Sequence, residues 1–442
     1  MAVQVREGAG GGVLASRLGA QLVICTFVLA QFVDGTLDLV LQAISALIIF
    51  PLAFVLMRHV RISILLAQFG VALILANSAA YVAKADFYNL DLLRGNFFAL
   101  SGFVTAILLY TALTQYEEAF SFLGRLWVAF AVVASILTIL QAAGLVPLWA
   151  VAEDNLHYMM AGSLYRGTGL KADPNFQAFM LVFGVVFARF YIKKFWLPAT
   201  LIIMLGILAT FSRMGIVVAI LVLLATPIIQ ARISRQERAV AITVFGSAVV
   251  LSVTGITTYV LAPQSVQLYL AERVGYVPRV YHFLATSNPT NLATGNPTNL
   301  DSAWQRIQLF TAGVDILPEN FLFGLGAYRT PEAIKVVSGV ANYAHNAYLD
   351  MLLMGGLWGA LVLASYFILL RYALVRSYHA QENKYRRSLI ATLLLAFFLV
   401  GFFLDISHNS ILWLPLVLAL AHLSMSSSSM RERGYADTTD CR

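Results

Sequence analysis

About twelve apolar runs, each close to the length a helix needs to cross a bilayer, dominate this chain of 442 residues. A spanning helix takes roughly 20 mostly apolar residues, because lipid offers a backbone amide no partner and a helix satisfies its amides internally. The runs lie near 19–34, 38–57, 62–83, 95–114, 123–145, 174–192, 195–211, 214–231, 239–261, 345–372, 387–404 and 409–425. No small-residue cleavage site follows the first run and the second begins almost at once, so the first is read as a span, not a cleaved signal peptide. Hydrophobic residues make up 60% and charged residues 12% of the chain, against a usual charged share of about 25%. A soluble multidomain protein, a disordered chain, a coiled coil and a disulfide scaffold are excluded. The expected fold is an all-α polytopic membrane protein.

Charge sets the expected orientation. With twelve spans both termini share one side, and 19 of the 29 basic residues then fall in the short segments on that side. Short basic loops mark the cytoplasm, so the net charge of +7 is a topology signal and needs no nucleic acid. The other basic residues are Lys84, Arg94, Arg166, Lys171, Arg213, Arg273, Arg279, Arg306, Arg329 and Lys335. The expected organisation is spans 1–9 over 1–261, a large outer loop over 262–344, spans 10–12 over 345–425 and a cytoplasmic tail over 426–442. The loop repeats Asn288-Pro289-Thr290-Asn291-Leu292 as Asn296-Pro297-Thr298-Asn299-Leu300, too few copies for a solenoid and read as slippage in an exposed, turn-rich segment. Around it, 264–284 and 302–317 read as amphipathic helices lying over the membrane surface. Cys25 and Cys441 are not expected to pair.

Four groups on the outer side could carry chemistry. Arg213, in Phe211-Ser212-Arg213-Met214-Gly215, interrupts two apolar runs. An arginine near a membrane core costs about 2.5–3.5 kcal/mol on insertion scales, although a turn arginine can snorkel to the surface. Tyr165-Arg166-Gly167-Thr168-Gly169 precedes Asp173-Pro174-Asn175. There Asp173 reads as a helix N-cap with Pro174 at the first helical position, leaving free amides for a phosphate; capping alone also accounts for the pattern. Arg306 follows Trp304-Gln305 in the loop and also reads as a surface stacking pair. His345 opens the tenth run in His345-Asn346-Ala347-Tyr348-Leu349-Asp350, where a capping role competes with a catalytic one. Arginines hold phosphate oxygens through charge-assisted bonds, and an imidazole titrating near 6.5 can take a proton at neutral pH. Together they suggest transfer from a lipid-linked diphosphate, whose own bond supplies the energy. The outer side has no His-x-x-x-His, cysteine cluster or Asp-x-Asp, so no metal is expected. A twelve-span transporter is the competing reading. It is weakened because the long loop is off-centre, after span 9, and no repeat relates the two halves.

These residues resemble the O-antigen ligase and polymerase superfamily of bacterial inner-membrane glycosyltransferases. The similarity rests on Phe211–Gly215, on Arg166 with Asp173-Pro174-Asn175, on Trp304-Gln305-Arg306 followed by Leu322-Phe323-Gly324-Leu325-Gly326, and on His345–Leu349 with Gly355-Gly356. It implies a GT-C-like fold and metal-independent, inverting transfer of a glycan from undecaprenyl diphosphate to a sugar hydroxyl on the periplasmic face. It also implies that Arg213 and Arg306 hold the diphosphate, that His345 is the general base, and that Arg166 contacts phosphate or glycan. Ser212, Asn175, Asn346 and Asp350 support them. Many relatives carry an acidic residue where this chain has Met354, and Asp350 is the expected substitute, orienting His345 or an arginine. The implied partners are the lipid-linked donor, a lipid A-core or growing-glycan acceptor and membrane lipid; a chain-length regulator or another polysaccharide-assembly protein is a candidate. One large and one modest outer loop lean towards ligase over polymerase.

Overall fold

The computed structural model describes residues 7–34, 44, 48–57, 60–86, 88–116, 118–151, 160–161, 164–234, 297–326, 328–339, 342–379, 384–401 and 410–425. The described chain is helical apart from two antiparallel strands of two residues each, β1 (Met160–Ala161) and β2 (Leu164–Tyr165). The helices are α1 (Glu7–Phe32), α2 (Phe50–Leu56), α3 (Ile64–Ala83), α4 (Leu90–Gln115), α5 (Ala119–Ala142), α6 (Pro174–Tyr191) and α7 (Trp196–Ala209). They continue as α8 (Arg213–Ser234), α9 (Pro297–Asn320), α10 (Thr330–Ser338), α11 (Ala347–Gly355), α12 (Leu357–His379) and α13 (Lys384–Gly401). A short 3₁₀ turn, Ser410–Leu412, leads into α14 (Trp413–Met425).

Lipid as solvent shows in how these helices divide their faces. On α3, Leu66, Phe69, Leu73, Ala76 and Ala80 are buried, whereas Ile64, Val71, Leu75 and Val82 are exposed. A helix that is apolar on both its packed and its open face belongs in a membrane. Among the described residues five helical stretches are long and apolar enough to cross one: Ala15–Phe32, Ile64–Ala83, Leu90–Gln115, Ala119–Ala142 and Arg213–Gln230. Shorter apolar helices cover Trp196–Ala209, Leu357–Tyr372 and Trp413–Met425. The expected run at 174–192 falls below that standard, because α6 carries Asn175, Gln177 and Arg189 within its 18 residues. The expected run at 239–261, the amphipathic segment at 264–284 and the first copy of the repeat lie outside the described residues. The second copy begins α9, with Pro297 in its first turn.

α6 is the central post. Almost every one of its side chains is buried, and α5, α7, α8 and α13 pack around it. Its Phe183 and Phe187 pack edge-on and tilted against Trp127 of α5 at 5.9 and 5.4 Å, and Trp127 meets Phe32 of α1 at 5.6 Å. Such a rigid helix is a good mount for a polar site at its end.

The expected single span at 345–372 is two helices. α11 stops at Gly355, Gly356 has φ +58°, and α12 starts at Leu357. Apolarity continues through the break, so periodicity could not reveal it. Its cause is tertiary: the loop segment Gly324–Gly326 docks along the last turn of α11. Leu325 N donates to Leu353 O at 2.7 Å and Gly326 N to Met354 O at 2.9 Å, satisfying carbonyls that a helix end leaves open. Gly324 has φ +73°, and a Cβ there would lie 2.3 Å from Met354 O. Gly324→Ala is therefore expected to undo the clasp, with a stability loss of about 1–3 kcal/mol, read as faster proteolysis of the purified protein between α9 and α11. The loop is also fixed to the α3–α4 turn, where Arg329 pairs with Asp86 and lies 4.7 Å over the Tyr81 ring.

Candidate active site

Two polar clusters form at one end of the bundle. The first joins the segment before α6 to the start of α8. Asp173 caps α6 by accepting from Asn175 N at 2.6 Å, with Pro174 at the first helical position, as local chemistry predicts. Asn175 Oδ1 accepts from Ser212 Oγ at 2.9 Å and from Arg166 Nη2 at 3.4 Å. Arg166 Nε also donates to Thr210 O at 3.2 Å. Ser212 in turn caps α8, its Oγ accepting from Gly215 N at 3.2 Å. A Cβ on Gly215 would lie 2.4 Å from the Ala178 Cβ, so α8 can approach α6 closely only with glycine there. Arg213 is thereby held, half-buried, in the first turn of α8.

Arg306 of α9, from the large loop, lies within electrostatic range of Asp173 and Arg213. Burial holds its guanidinium below the usual range; the like charge of Arg213 pushes the same way, and the Asp173 carboxylate opposes both. Two arginines sharing one partly buried spot repel each other and are stabilised by an anion between them.

The second cluster surrounds His345, whose backbone takes the left-handed conformation at φ +53°. Asp350 is 2% exposed and ties down the turn on both sides of it, its Oδ1 accepting from Ala344 N at 2.9 Å and its Oδ2 from Asn346 N at 3.4 Å. Asn346 caps α11 by accepting from Tyr348 N and Leu349 N at 3.1 and 3.0 Å. Asn342 Nδ2 lies 3.2 Å from His345 Nε2. With that amide donating, the ring proton is assigned to Nδ1 and the Nε2 lone pair accepts from Asn342. Phe211, two residues before Arg213, has the same left-handed backbone at φ +51°. Non-glycine residues held there cost of order 1–3 kcal/mol each and cluster at functional sites.

Two elements link the clusters. Leu309 and Ala312, on the α9 turns that follow Arg306, share a small core with Ala344, Leu349 and Leu353. Between the clusters stands the end of α13. Val400 lines a crevice with Asn175 and Ser212, and Tyr348 donates to Phe398 O at 3.0 Å. Met354, the position of the missing acidic residue, is buried and serves the clasp through its carbonyl. Asp350 reaches the backbone around His345, so it acts there as a positioning residue. Asp350→Asn leaves the turn with a weaker acceptor set and is expected to slow turnover about tenfold, the size of one lost charged hydrogen bond. KM for the donor should stay unchanged.

Three positioning contacts escaped the sequence reading. Lys171, 3% exposed, donates to Asp34 Oδ1 at 2.9 Å and to Val33 O at 3.0 Å, tying α1 to the Arg166–Asp173 segment. Gln141 Oε1 accepts from Thr168 N and Gly169 N at 3.0 and 2.7 Å. Asn342 steadies the imidazole as described. Polar residues inside or at the end of apolar runs, Gln141 and Asp34, were the available signals. Among the described residues no group of three His, Cys, Asp or Glu could hold a metal ion.

No curated protein matches the chain. Residues 198–364, which include Arg213, Arg306, the glycine clasp and His345, match the family model described as O-antigen ligase. The segment that carries Arg213, Arg306 and the turn around His345 is thus similar to the O-antigen ligase family.

Proposed function

We propose that the chain is a ligase-type glycosyltransferase with about twelve spans and cytoplasmic termini, acting on the periplasmic face of a bacterial inner membrane. It moves a glycan from undecaprenyl diphosphate to a sugar hydroxyl of lipid A-core. The observation that carries this reading is that Arg306 feels the charges of Arg213 and Asp173 and stands on a helix that shares its core with the turn holding His345. His345 Nε2 exchanges the Asn342 amide for the acceptor hydroxyl and takes its proton as the hydroxyl oxygen attacks the anomeric carbon. The bond to the diphosphate oxygen breaks on the opposite face, so the centre inverts. The departing diphosphate keeps the electron pair, and its growing charge is met by Arg213 and Arg306, with Arg166 at the edge; placing donors where charge develops is the strongest lever such a site has. The leaving group needs no proton, the donor's own bond supplies the energy, and no cofactor or metal enters this scheme. Activity is accordingly expected to persist in EDTA.

A polymerase of the same superfamily shares the donor chemistry and differs in its acceptor, a growing lipid-linked glycan. The single large outer loop favours the ligase. Deleting the gene distinguishes the readings. Loss of a ligase leaves bare lipid A-core while long lipid-linked glycan accumulates. Loss of a polymerase leaves acceptors with at most one repeat unit. Donor stranded on the cytoplasmic leaflet indicates a flippase and contradicts both.

A further inference from the structure

Away from the two clusters, α1 and the start of α5 enclose a cleft of about 350 Å³. Arg17 lies about 22 Å of helix from Phe32, and the Phe32 end of α1 runs into the Asp34 contact with Lys171. Arg125 stands likewise near the start of α5, whose far end carries Gln141. The cleft therefore opens on the membrane face opposite the candidate active site.

Its lining is mixed. Arg17, Gln21, Ser121 and Arg125 are polar, whereas Ala20, Ile24 and Phe122 are apolar. Arg17 pairs with Glu118, and both are exposed. Arg125 is exposed and has no ion pair among the described residues. The described lining thus holds two guanidinium groups against one carboxylate, with hydroxyl and amide donors between them. A free phosphate would use only the polar side chains. An amphiphile with an anionic head and an apolar body uses both parts of the lining, and basic pockets between helices at a membrane face suit anionic headgroups.

We propose that this cleft binds the phosphate headgroup of an anionic phospholipid, held by Arg17 and Arg125. The inference requires only that the chain sits in a membrane and is independent of the glycan-transfer reading. The test is native mass spectrometry of the purified full chain after exchange into detergent with phosphatidylglycerol, phosphatidylcholine or inorganic phosphate. Wild type should retain phosphatidylglycerol over phosphatidylcholine, and millimolar phosphate should not displace it. At about 1 kcal/mol for each arginine, Arg17→Ala with Arg125→Ala should weaken retention at least tenfold. Arg17→Lys with Arg125→Lys, which keeps both charges and the packing, should retain most of it. Equal retention of both lipids, undiminished retention in the double alanine variant, or displacement by phosphate alone would each overturn the proposal.

Discussion

Replacing His345 by alanine should lower glycan transfer by about 10²–10⁴-fold, the usual contribution of a general base. The loss should appear in turnover, with donor binding little changed, because in the proposed mechanism the imidazole meets the acceptor hydroxyl and not the diphosphate. His345→Asn is the informative companion. Asparagine tolerates the left-handed backbone that His345 adopts at φ +53°, so it keeps the turn that Asp350 braces but offers no basic nitrogen. If the asparagine variant folds and is as slow as the alanine variant, the role is chemical. Near-wild-type transfer by either variant would remove His345 from the mechanism. The assay is single-turnover transfer by purified protein in lipid nanodiscs.

Arg213→Ala should cost about 10²–10³-fold in turnover, the range seen when one group that stabilises developing charge is removed. Its position explains why little can replace it: the guanidinium is fixed in the first turn of α8 by the Ser212 cap and the close α6 contact at Gly215. Arg306→Ala should act in the same direction. The two losses should be less than multiplicative when combined, since each arginine loses a repulsive neighbour when the other is removed. Arg306→Lys should be a poor rescue. Burial and Arg213 already press on the charge of Arg306, and an ammonium gives up its proton more readily than a guanidinium and cannot hold two oxygens at once. Donor release, measured as free undecaprenyl diphosphate, reads both variants directly.

The parts of the site that were legible in the sequence are local. Asp173 before Pro174 specifies its cap whatever the rest of the chain does. At α11 the capping residue is Asn346, one position after the His345 for which the sequence suggested that role. The span positions were legible where a helix is long and mostly apolar, as in α3 and α5. The run at 174–192 reads as a span on its apolar residues, yet the start of α6 is polar, with Asn175 bonded to Ser212. What could not be read was set by partners far away in the chain. Lys171 and Asp34 are 137 residues apart, and the break at Gly356 exists because Gly324 docks there. The role of Met354 is of this kind too. Its side chain suggests a lost acid, whereas its backbone carbonyl holds the loop, and Asp350 supports His345 from one turn earlier.

The most direct test of the account joins donor and acceptor in one vessel. Purified protein in nanodiscs is given an undecaprenyl-diphosphate-linked glycan and lipid A-core, with EDTA present. The account predicts one undecaprenyl diphosphate released for each acceptor glycosylated, with inverted anomeric configuration, and neither product from Arg213→Ala or His345→Ala above a trace. Retention of configuration, dependence on added metal, or equal product from either variant would contradict it.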